Sequence, residues 1–136
     1  MADIVVTPAD VGMTSTAPGK RTVIYGEPIT EGEVVYLKAA DGKYWLAINT
    51  GEATAQAVGI ALTPGLADDR GEIAVSGNIN CGATVAVGVP YFLSATAGGY
   101  RIYTELASGD HTTLIGWGVA TDQIRIAIVQ TDLEIV

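Results

Sequence analysis

The stretch EVVYLKAADGKYWLAI, residues 33–48, decides the fold class. It contains two runs rich in β-branched and aromatic residues, joined by Ala40-Asp41-Gly42. Glycine tolerates the positive φ that a tight turn between antiparallel strands requires, so Asp-Gly between two such runs is a strong hairpin signal. Residues 33–48 therefore predict a β-hairpin.

Similar signals recur at short intervals along the chain. Apolar runs alternate with Gly, Pro, Asn and Asp, which favour turns, and Gly77-Asn78 is one such predicted turn. No segment carries the i, i+3, i+4, i+7 apolar pattern of a packed helix. About ten short strands predict an all-β domain, either a β-barrel or β-tulip-like fold or a sandwich. The predicted strands are residues 22–25, 33–37, 43–48, 56–63, 72–76, 85–87, 91–94, 100–105, 114–119 and 123–130.

Residues 1–20 differ from the rest of the chain. After the apolar run Ile4-Val5-Val6, the sequence is rich in Pro, Gly, Thr and Ser, which predicts an extended N-terminal arm or an ordered loop, with a frayed terminus as the alternative. Residues 21–136 are predicted to form a single β domain, since 136 residues suit one domain.

One motif occurs twice within the predicted domain. Residues 35–37, 42–44 and 59–61 are echoed by residues 91–93, 98–100 and 116–119, at an offset of 56 residues for the first two pieces and 57 for the third. Each copy predicts a hairpin followed by a returning strand that opens on a small residue, where backbones crowd. The echo predicts two similar halves, and a chance likeness between glycine-rich hairpins is the alternative.

Composition and charge exclude several classes of protein. Charged residues make up 16% of the chain, against about 25% in typical domains, which favours a surface partly covered by partners. Seven basic and 15 acidic residues give a net charge of −8, and without a basic cluster the chain is not expected to bind nucleic acid. No apolar run is long enough to span a membrane, and the N-terminus lacks the pattern of a signal peptide.

Candidate catalytic and metal-binding groups are few. Cys81, the single cysteine, and His111, the single histidine, would make a thiolate–imidazole dyad if they met. We favour a buried structural thiol and a solvated loop imidazole instead. The acidic cluster Asp68-Asp69 with Glu72 lacks the spacing of a calcium loop and predicts a solvated turn. The sequence therefore predicts no catalytic residue, no cofactor and no metal site.

Aromatic side chains are the remaining candidate binding groups. An exposed set would offer a platform for sugars, but both faces of residues 43–48 are apolar. We therefore favour core packing or subunit contact over a glycan site. The aromatic residues concerned are Tyr44, Trp45, Tyr100, Tyr103 and Trp117.

These hairpin motifs resemble the capsid decoration (cement) proteins of tailed bacteriophages and the related head-fibre proteins. In that family the phrasing is G-d-x-V-Y-l, d-G-k and a-x-G-i-A, followed by y-y-L-S, Gly-Gly and i-G-x-a, and the resemblance covers roughly residues 26–130. The segments that carry it are GEVVYL (32–37), DGK (41–43), AVGIAL (57–62), GVPYFLS (88–94) and IGWGVA (115–120).

The resemblance implies a subunit, usually trimeric, that sits on the outer surface of the virion capsid and bridges neighbouring major capsid proteins. Such a protein is made in the host cytoplasm and needs no catalysis. An N-terminal arm able to pair with a strand of the capsid protein would suit this role. The arm residues expected to contact the capsid are Ile4, Val5, Val6, Pro8, Val11 and Met13.

Two other functions stay open at this point. One is a head-fibre or tail-fibre module that binds a host receptor through its aromatic residues. The other, which we consider weaker, is a small carbohydrate-active enzyme that uses Cys81, His111 or a pair of carboxylates.

Overall fold

The prediction of an all-β fold is confirmed. A computed structural model describes residues 3–13 and 19–134, which contain β-strands and two single-turn 3₁₀ helices, Pro8–Asp10 and Tyr103–Glu105. None of the helices in these residues is long and apolar enough to cross a membrane. The strands are β1 (Val11–Met13), β2 (Lys20–Ile24), β3 (Val34–Lys38), β4 (Lys43–Leu46), β5 (Ala57–Ala61), β6 (Arg70–Ala74), β7 (Gly77–Cys81), β8 (Pro90–Leu93), β9 (Tyr100–Ile102), β10 (His111–Ala120) and β11 (Gln123–Glu134).

The strands form two antiparallel sheets in a sandwich-like arrangement. The larger sheet has the order β1-β7-β11-β10-β8-β9, and the smaller sheet has the order β2-β6-β5-β3-β4. Neither sheet closes into a barrel within the described residues. Of the alternatives that the strand pattern allows, the sandwich is therefore the one found.

The two sheets share one topology. Strands β2 to β6, taken in chain order, occupy the same places in the smaller sheet as β7 to β11 in the larger one, and β1 adds an edge strand to the larger sheet. We call β2–β6 the first unit and β7–β11 the second unit.

Their central registers also correspond. Leu37 pairs with Tyr44 in the first hairpin, and Leu93 pairs with Tyr100 in the second, 56 residues later. The fourth strand of each unit, β5 or β10, pairs with the hairpin with an irregularity of register at the same place, next to the pairs Val35–Gly59 and Tyr91–Gly116. The echo in the sequence thus corresponds to matching strand pairings in the structure.

Two equivalent glycines mark where the backbones crowd. A Cβ at Gly59 would overlap the carbonyl oxygen of Ala74 and lie 3.2 Å from its carbon; a Cβ at Gly116 would overlap the carbonyl oxygen of Arg125 and lie 2.9 Å from its carbon. In both units the crowded carbonyl belongs to the next strand of the sheet, β6 or β11. Only glycine fits without displacing a strand, as the small residue in the repeated motif predicts.

The main core lies between the sheets. The first unit supplies Tyr36, Ala57 and Ile60, and the second supplies Leu93 and Ile124, all packed in one cluster. Buried polar groups join the sheets: the Asn49 side-chain amide donates to the Leu93 carbonyl over 2.9 Å. The Thr113 hydroxyl donates to the Ala55 carbonyl over 2.7 Å. Such buried hydrogen bonds favour one alignment of the sheets, because a shifted alignment would leave them unsatisfied.

A second cluster covers the other face of the smaller sheet. Tyr25 and Ile29, from the segment before β3, pack there on Val35, Tyr44 and Ile73. The loop at residues 62–69 joins this cover, since backbone hydrogen bonds link Ile29 and Gly65 in both directions, at 2.8 and 3.0 Å. Residues 25–33 and 62–69, which we call the loop cover, therefore close this face of the smaller sheet.

Several local predictions were wrong. Gly77-Asn78 begins strand β7 instead of forming a turn, although Gly77 does have the positive φ of a turn, +87°. Residues 85–87 form no strand, since Val87 makes only an isolated bridge to Gly118. Residues 103–105 form a 3₁₀ helix instead of extending β9.

The predicted N-terminal arm is only partly described. Residues 3–13 lie on the domain, and β1 pairs with β7 at the edge of the larger sheet. Residues 1–2 and 14–18 of the predicted arm lie outside the described residues, and its last residue, Lys20, begins strand β2.

Candidate interaction surfaces

The N-terminal residues predicted to contact a capsid mostly face their own domain. Ile4 packs against the main core, and its N–H donates to the Tyr100 carbonyl over 3.3 Å. Val6 and Val11 lie over Gly32, where an added Cβ would meet their methyl groups at 2.7 and 3.0 Å. Val5 differs, because 86% of its surface is exposed.

The other two predicted contact residues lie close by in the chain. Pro8 is half-buried at the start of the first 3₁₀ helix. Met13 ends strand β1, which is an edge strand of the larger sheet. Among the side chains described in residues 3–12, Val5 is the large apolar one that is exposed, and β1 offers a backbone edge.

A partly buried ion pair fixes the start of the segment. Asp3 Oδ1 lies 2.7 Å from Nε and 2.5 Å from Nη2 of Arg101, and it accepts a hydrogen bond from the Ser94 hydroxyl over 2.6 Å. The Thr7 N–H also donates to the Gly82 carbonyl over 2.6 Å. Residues 3–13 are therefore held on the domain by polar contacts as well as by apolar packing.

An open cleft of about 530 Å³ lies beside Val5. Asp10 and Asp122 lie along it, together with Asn80, which gives the cleft an acidic and polar lining. Its character suits a polar or basic segment of a protein partner better than an apolar small molecule.

The structure keeps the candidate dyad apart. Asn80, next to Cys81, pairs with Gln123 at one end of β11, and His111 pairs with Glu134 at the other end. About 30 Å of extended strand lies between these positions. Cys81 and His111 therefore cannot act as one nucleophile and base.

Cys81 and His111 are both buried in the fold. Cys81 is fully buried, as predicted, and its thiol donates weakly to the carbonyl oxygens of Asp122 and Ala83, at 3.5 and 3.6 Å. Burial raises the pKa of the Cys81 thiol, which disfavours the reactive thiolate. The prediction of a solvated His111 was wrong, because this residue is buried at the start of β10 and its N–H donates to the Asn49 carbonyl over 2.8 Å.

The acidic cluster consists of carboxylates that already have partners. Asp68 pairs with Lys43, and Asp69 accepts a hydrogen bond from the Leu66 N–H over 2.9 Å. Glu72 lies 3.5 Å from the Lys20 ammonium. No group of three or more potential metal ligands occurs in the part of the chain that the structure describes.

The aromatic residues separate into core and surface. Tyr44 and Tyr100 are buried in the two clusters, and burial raises the pKa of Tyr100 well above its ordinary value. Trp45 is half-buried, with its indole N–H donating to Asp41 over 3.0 Å. Tyr103 and Trp117, by contrast, are exposed on the second unit. The five do not form one platform.

Tyr103 and Trp117 belong to an apolar surface on the larger sheet. Leu114 pairs with Phe92 on one side and Val129 on the other, which places three apolar side chains in a row across β8, β10 and β11. The Phe92 and Tyr103 rings meet edge to face, with centroids 5.6 Å apart. This surface, which we call the outer face, comprises Phe92, Tyr103, Leu114, Trp117, Arg125 and Val129.

Sequence reasoning identified only part of the outer face. Tyr103 and Trp117 were recognised as aromatic candidates, whereas Phe92, Leu114 and Val129 were assigned to strands without a role. A signal was present in β8, whose residues Pro90–Leu93 are apolar on both alternating faces, and this is typical of strands that are covered on two sides.

Comparisons with known proteins add no relative. No protein-family model matches this chain, and no curated protein matches it.

Proposed function

We propose that this protein is a structural component of a tailed-phage virion. It binds the outer surface of the capsid as an oligomer, with a homotrimer as the form that the resemblance implies, and it bridges neighbouring major capsid proteins. The observation that carries the proposal is the outer face: an exposed, largely apolar sheet surface on a protein in which only 16% of residues are charged. Surfaces of this kind mark protein contacts.

The position of the family-like motifs supports the proposal. GEVVYL and DGK lie in and around the first hairpin, β3–β4, and GVPYFLS lies in and around β8 of the second. AVGIAL and IGWGVA contain the equivalent glycines Gly59 and Gly116. The resemblance therefore follows the framework of both units, and a rigid doubled framework suits a protein that resists mechanical load.

We place the capsid contact at the exposed part of the N-terminal segment. Val5 projects beside the acidic cleft, and β1 lies at the edge of the larger sheet. An apolar side chain in this position can enter a pocket of the partner, while the cleft receives a basic segment and the edge pairs with a strand. The other predicted contact residues then act by holding Val5 in place.

Co-sedimentation with capsids tests the proposal. Purified protein is mixed with empty procapsids and with expanded heads of the same phage, and the bound fraction is measured over a concentration series. We expect binding to expanded heads and not to procapsids. A protein that binds neither to procapsids nor to expanded heads would overturn the proposal.

A matched pair of variants tests the assigned surface. Val5→Asp should weaken binding to heads by about tenfold or more, because a buried unpaired charge costs more than the ~1.4 kcal/mol of a tenfold change. Val87→Asp is the control, since Val87 is also highly exposed but lies outside the N-terminal segment. Equal binding by both variants would remove Val5 from the contact.

A receptor-binding module is the second candidate. The observation that favours it is the exposure of Tyr103 and Trp117 on one sheet face, because exposed aromatic rings stack on sugars. Glycan-array binding without head binding would favour this alternative.

A further inference from the structure

We propose that the outer face binds the loop cover of a second copy of this chain, in a head-to-tail contact. The inference deepens the proposed function, because it supplies a contact by which the proposed oligomer would form. Its test measures self-association and does not depend on binding to a capsid.

The two units correspond residue by residue. Offsets of 56 residues for the hairpins and 57 for the returning strands relate Tyr36 to Phe92, Ala57 to Leu114 and Ile60 to Trp117. In the first unit, these residues face the second unit and are buried in the main core. In the second unit, their equivalents form the outer face.

The same side of the repeated framework is thus buried in the first unit and exposed in the second unit. The units stack front to back: the side of the first unit that bears Tyr36 packs on the side of the second unit that bears Leu93 and Tyr100. Stacking of this kind leaves one unmatched surface at each end of the molecule. These surfaces are the outer face of the second unit and the loop cover over the first.

The outer face keeps the character of a packing surface. Tyr103 is 54% exposed and Val129 is 49% exposed, although both lie beside other apolar side chains. At the equivalent of Tyr103, one residue past the hairpin, the first unit has the fully buried Ala47. The larger side chains of the second unit would project to meet a separate partner.

Charge identifies the loop cover as the partner surface. Residues 25–33 and 62–69 contain five carboxylates and no Lys or Arg. Glu33 lies beside Gly98 of the second unit and Asp68 pairs with Lys43, which leaves Glu27, Glu31 and Asp69 as the acidic groups of the loop cover. The outer face carries one charged residue, Arg125, which lies next to Trp117. Opposite charges on the two surfaces favour one orientation and disfavour contact between like surfaces.

The loop cover also has an exposed apolar residue that can pack on the outer face. Leu66, in the loop cover, is 66% exposed. Three strands at ~4.8 Å spacing, with Tyr103 beside them, give the outer face a width of about 15 Å, so the contact falls at the small end of specific interfaces. Association should therefore be weak in solution, and attachment of several copies to one particle would strengthen it through effective concentration.

A head-to-tail contact uses two different surfaces, so it can close into a ring such as a trimer. This property gives a direct test with two variants. The outer-face variant carries Arg125→Glu and Val129→Asp, and the loop variant carries Leu66→Lys. The control carries Lys20→Glu and Val87→Asp, which changes the charge as much as the outer-face variant but at exposed positions outside both surfaces.

Sedimentation velocity, from about 10 μM to about 1 mM to cover weak contacts, measures the average mass. We expect wild type and control to associate, and each variant alone to associate at least tenfold more weakly. An equimolar mixture of the two variants should form dimers and nothing larger, because each molecule retains one intact surface. Formation of these mixed dimers also shows that both variants are folded.

Three results would overturn the inference. The first is a wild-type protein that stays monomeric throughout the range. The second is normal association of the loop variant, since this indicates a contact that does not use the loop cover. The third is a mixture that does not form dimers. Self-association without head binding would leave this inference standing and refute the proposed function. Head binding by a chain that stays monomeric would refute this inference and leave the proposed capsid binding standing.

Discussion

Replacing Gly116 by alanine adds one carbon atom at the closest approach of β10 and β11. The new Cβ would overlap the Arg125 carbonyl oxygen and lie 2.9 Å from its carbon, whereas carbon atoms in contact are normally 3.5–4.0 Å apart. The obstacle is backbone, so a side-chain rotation cannot relieve it. The two strands must separate at the pair Gly116–Ile126.

The cost follows from that separation. Two weakened ladder hydrogen bonds lose about 1 kcal/mol each, and overpacking adds about 1–3 kcal/mol. The total is about 3–5 kcal/mol, against about 5–15 kcal/mol for the unfolding free energy of a typical domain. Gly59→Ala should lower the unfolding free energy by a similar amount, because its Cβ would lie 3.2 Å from the Ala74 carbonyl carbon and overlap the oxygen.

Two other glycines provide matched controls. Gly12 has no atom within 4 Å of an added Cβ and no positive φ, so Gly12→Ala should leave the unfolding free energy unchanged or raise it slightly. Gly42 has equal space but a φ of +69°, so Gly42→Ala should cost about 1 kcal/mol. All four substitutions reduce the entropy of the unfolded chain similarly, and their differences therefore report on the folded state.

Urea unfolding followed by tryptophan fluorescence measures the series. The expected order of stability is Gly12→Ala first, then Gly42→Ala, with Gly59→Ala and Gly116→Ala far below or unfolded. If the last two variants were as stable as Gly12→Ala, the close approach of backbones in both units, and the equivalence of the units, would be refuted.

Three further predictions concern the N-terminal segment and two buried groups. Asp3→Asn should lower the unfolding free energy by about 1–3 kcal/mol, because it leaves the partly buried Arg101 without its charged partner; Asp10→Asn, at an exposed position, should change it little, and equal effects in urea titrations would contradict this. Burial raises the pKa of Glu33 in the folded protein. The contribution of this group to stability is therefore present at low pH and is lost as the pH rises through its folded pKa. The unfolding free energy measured against pH should show this decline for wild type and not for Glu33→Gln, and the same decline in both proteins would refute the prediction. The buried Cys81 thiol, whose pKa is also raised, should react with a thiol reagent only in denaturant, and rapid reaction of the native protein would show that it is accessible.

Turn chemistry and the internal echo explain why the fold was largely predictable. Asp41-Gly42 closes the β3–β4 hairpin, and Gly42 has the positive φ that the turn requires. The echo correctly located the second hairpin and both crowded glycines, because a backbone constraint repeated in one fold requires the same residue twice. These local rules depend on neighbours in the chain, so the sequence expresses them directly.

Strands β1 and β7 escaped prediction because long-range pairing determines them. Gly77-Asn78 has the composition of a turn, yet Asn78 pairs with Arg125, 47 positions later. The alternation of Asn with Ile79 and Cys81, whose side chains are buried, was a usable signal for β7. Val11–Met13 is too short for a pattern, and its pairing with β7 makes it a strand.

The interaction surfaces were harder to predict than the fold. The apolar run at residues 4–6 is equally consistent with burial in the domain and with contact to a partner. The structure distinguishes these roles, because Ile4 and Val6 pack on the domain and Val5 is exposed. His111 follows polar loop residues, but its pairing with β11 places it in a buried strand end. Exposure depends on which neighbour covers a side chain, and this information lies outside the local sequence.

Purified virions show whether this chain is a component of the particle. Particles of the phage are purified on a density gradient, and the chain is detected by mass spectrometry and by antibody labelling of intact particles. We expect many copies of the chain in each particle, accessible to antibody on the outside of the head. A chain that is abundant in the infected cell but absent from purified particles would contradict it.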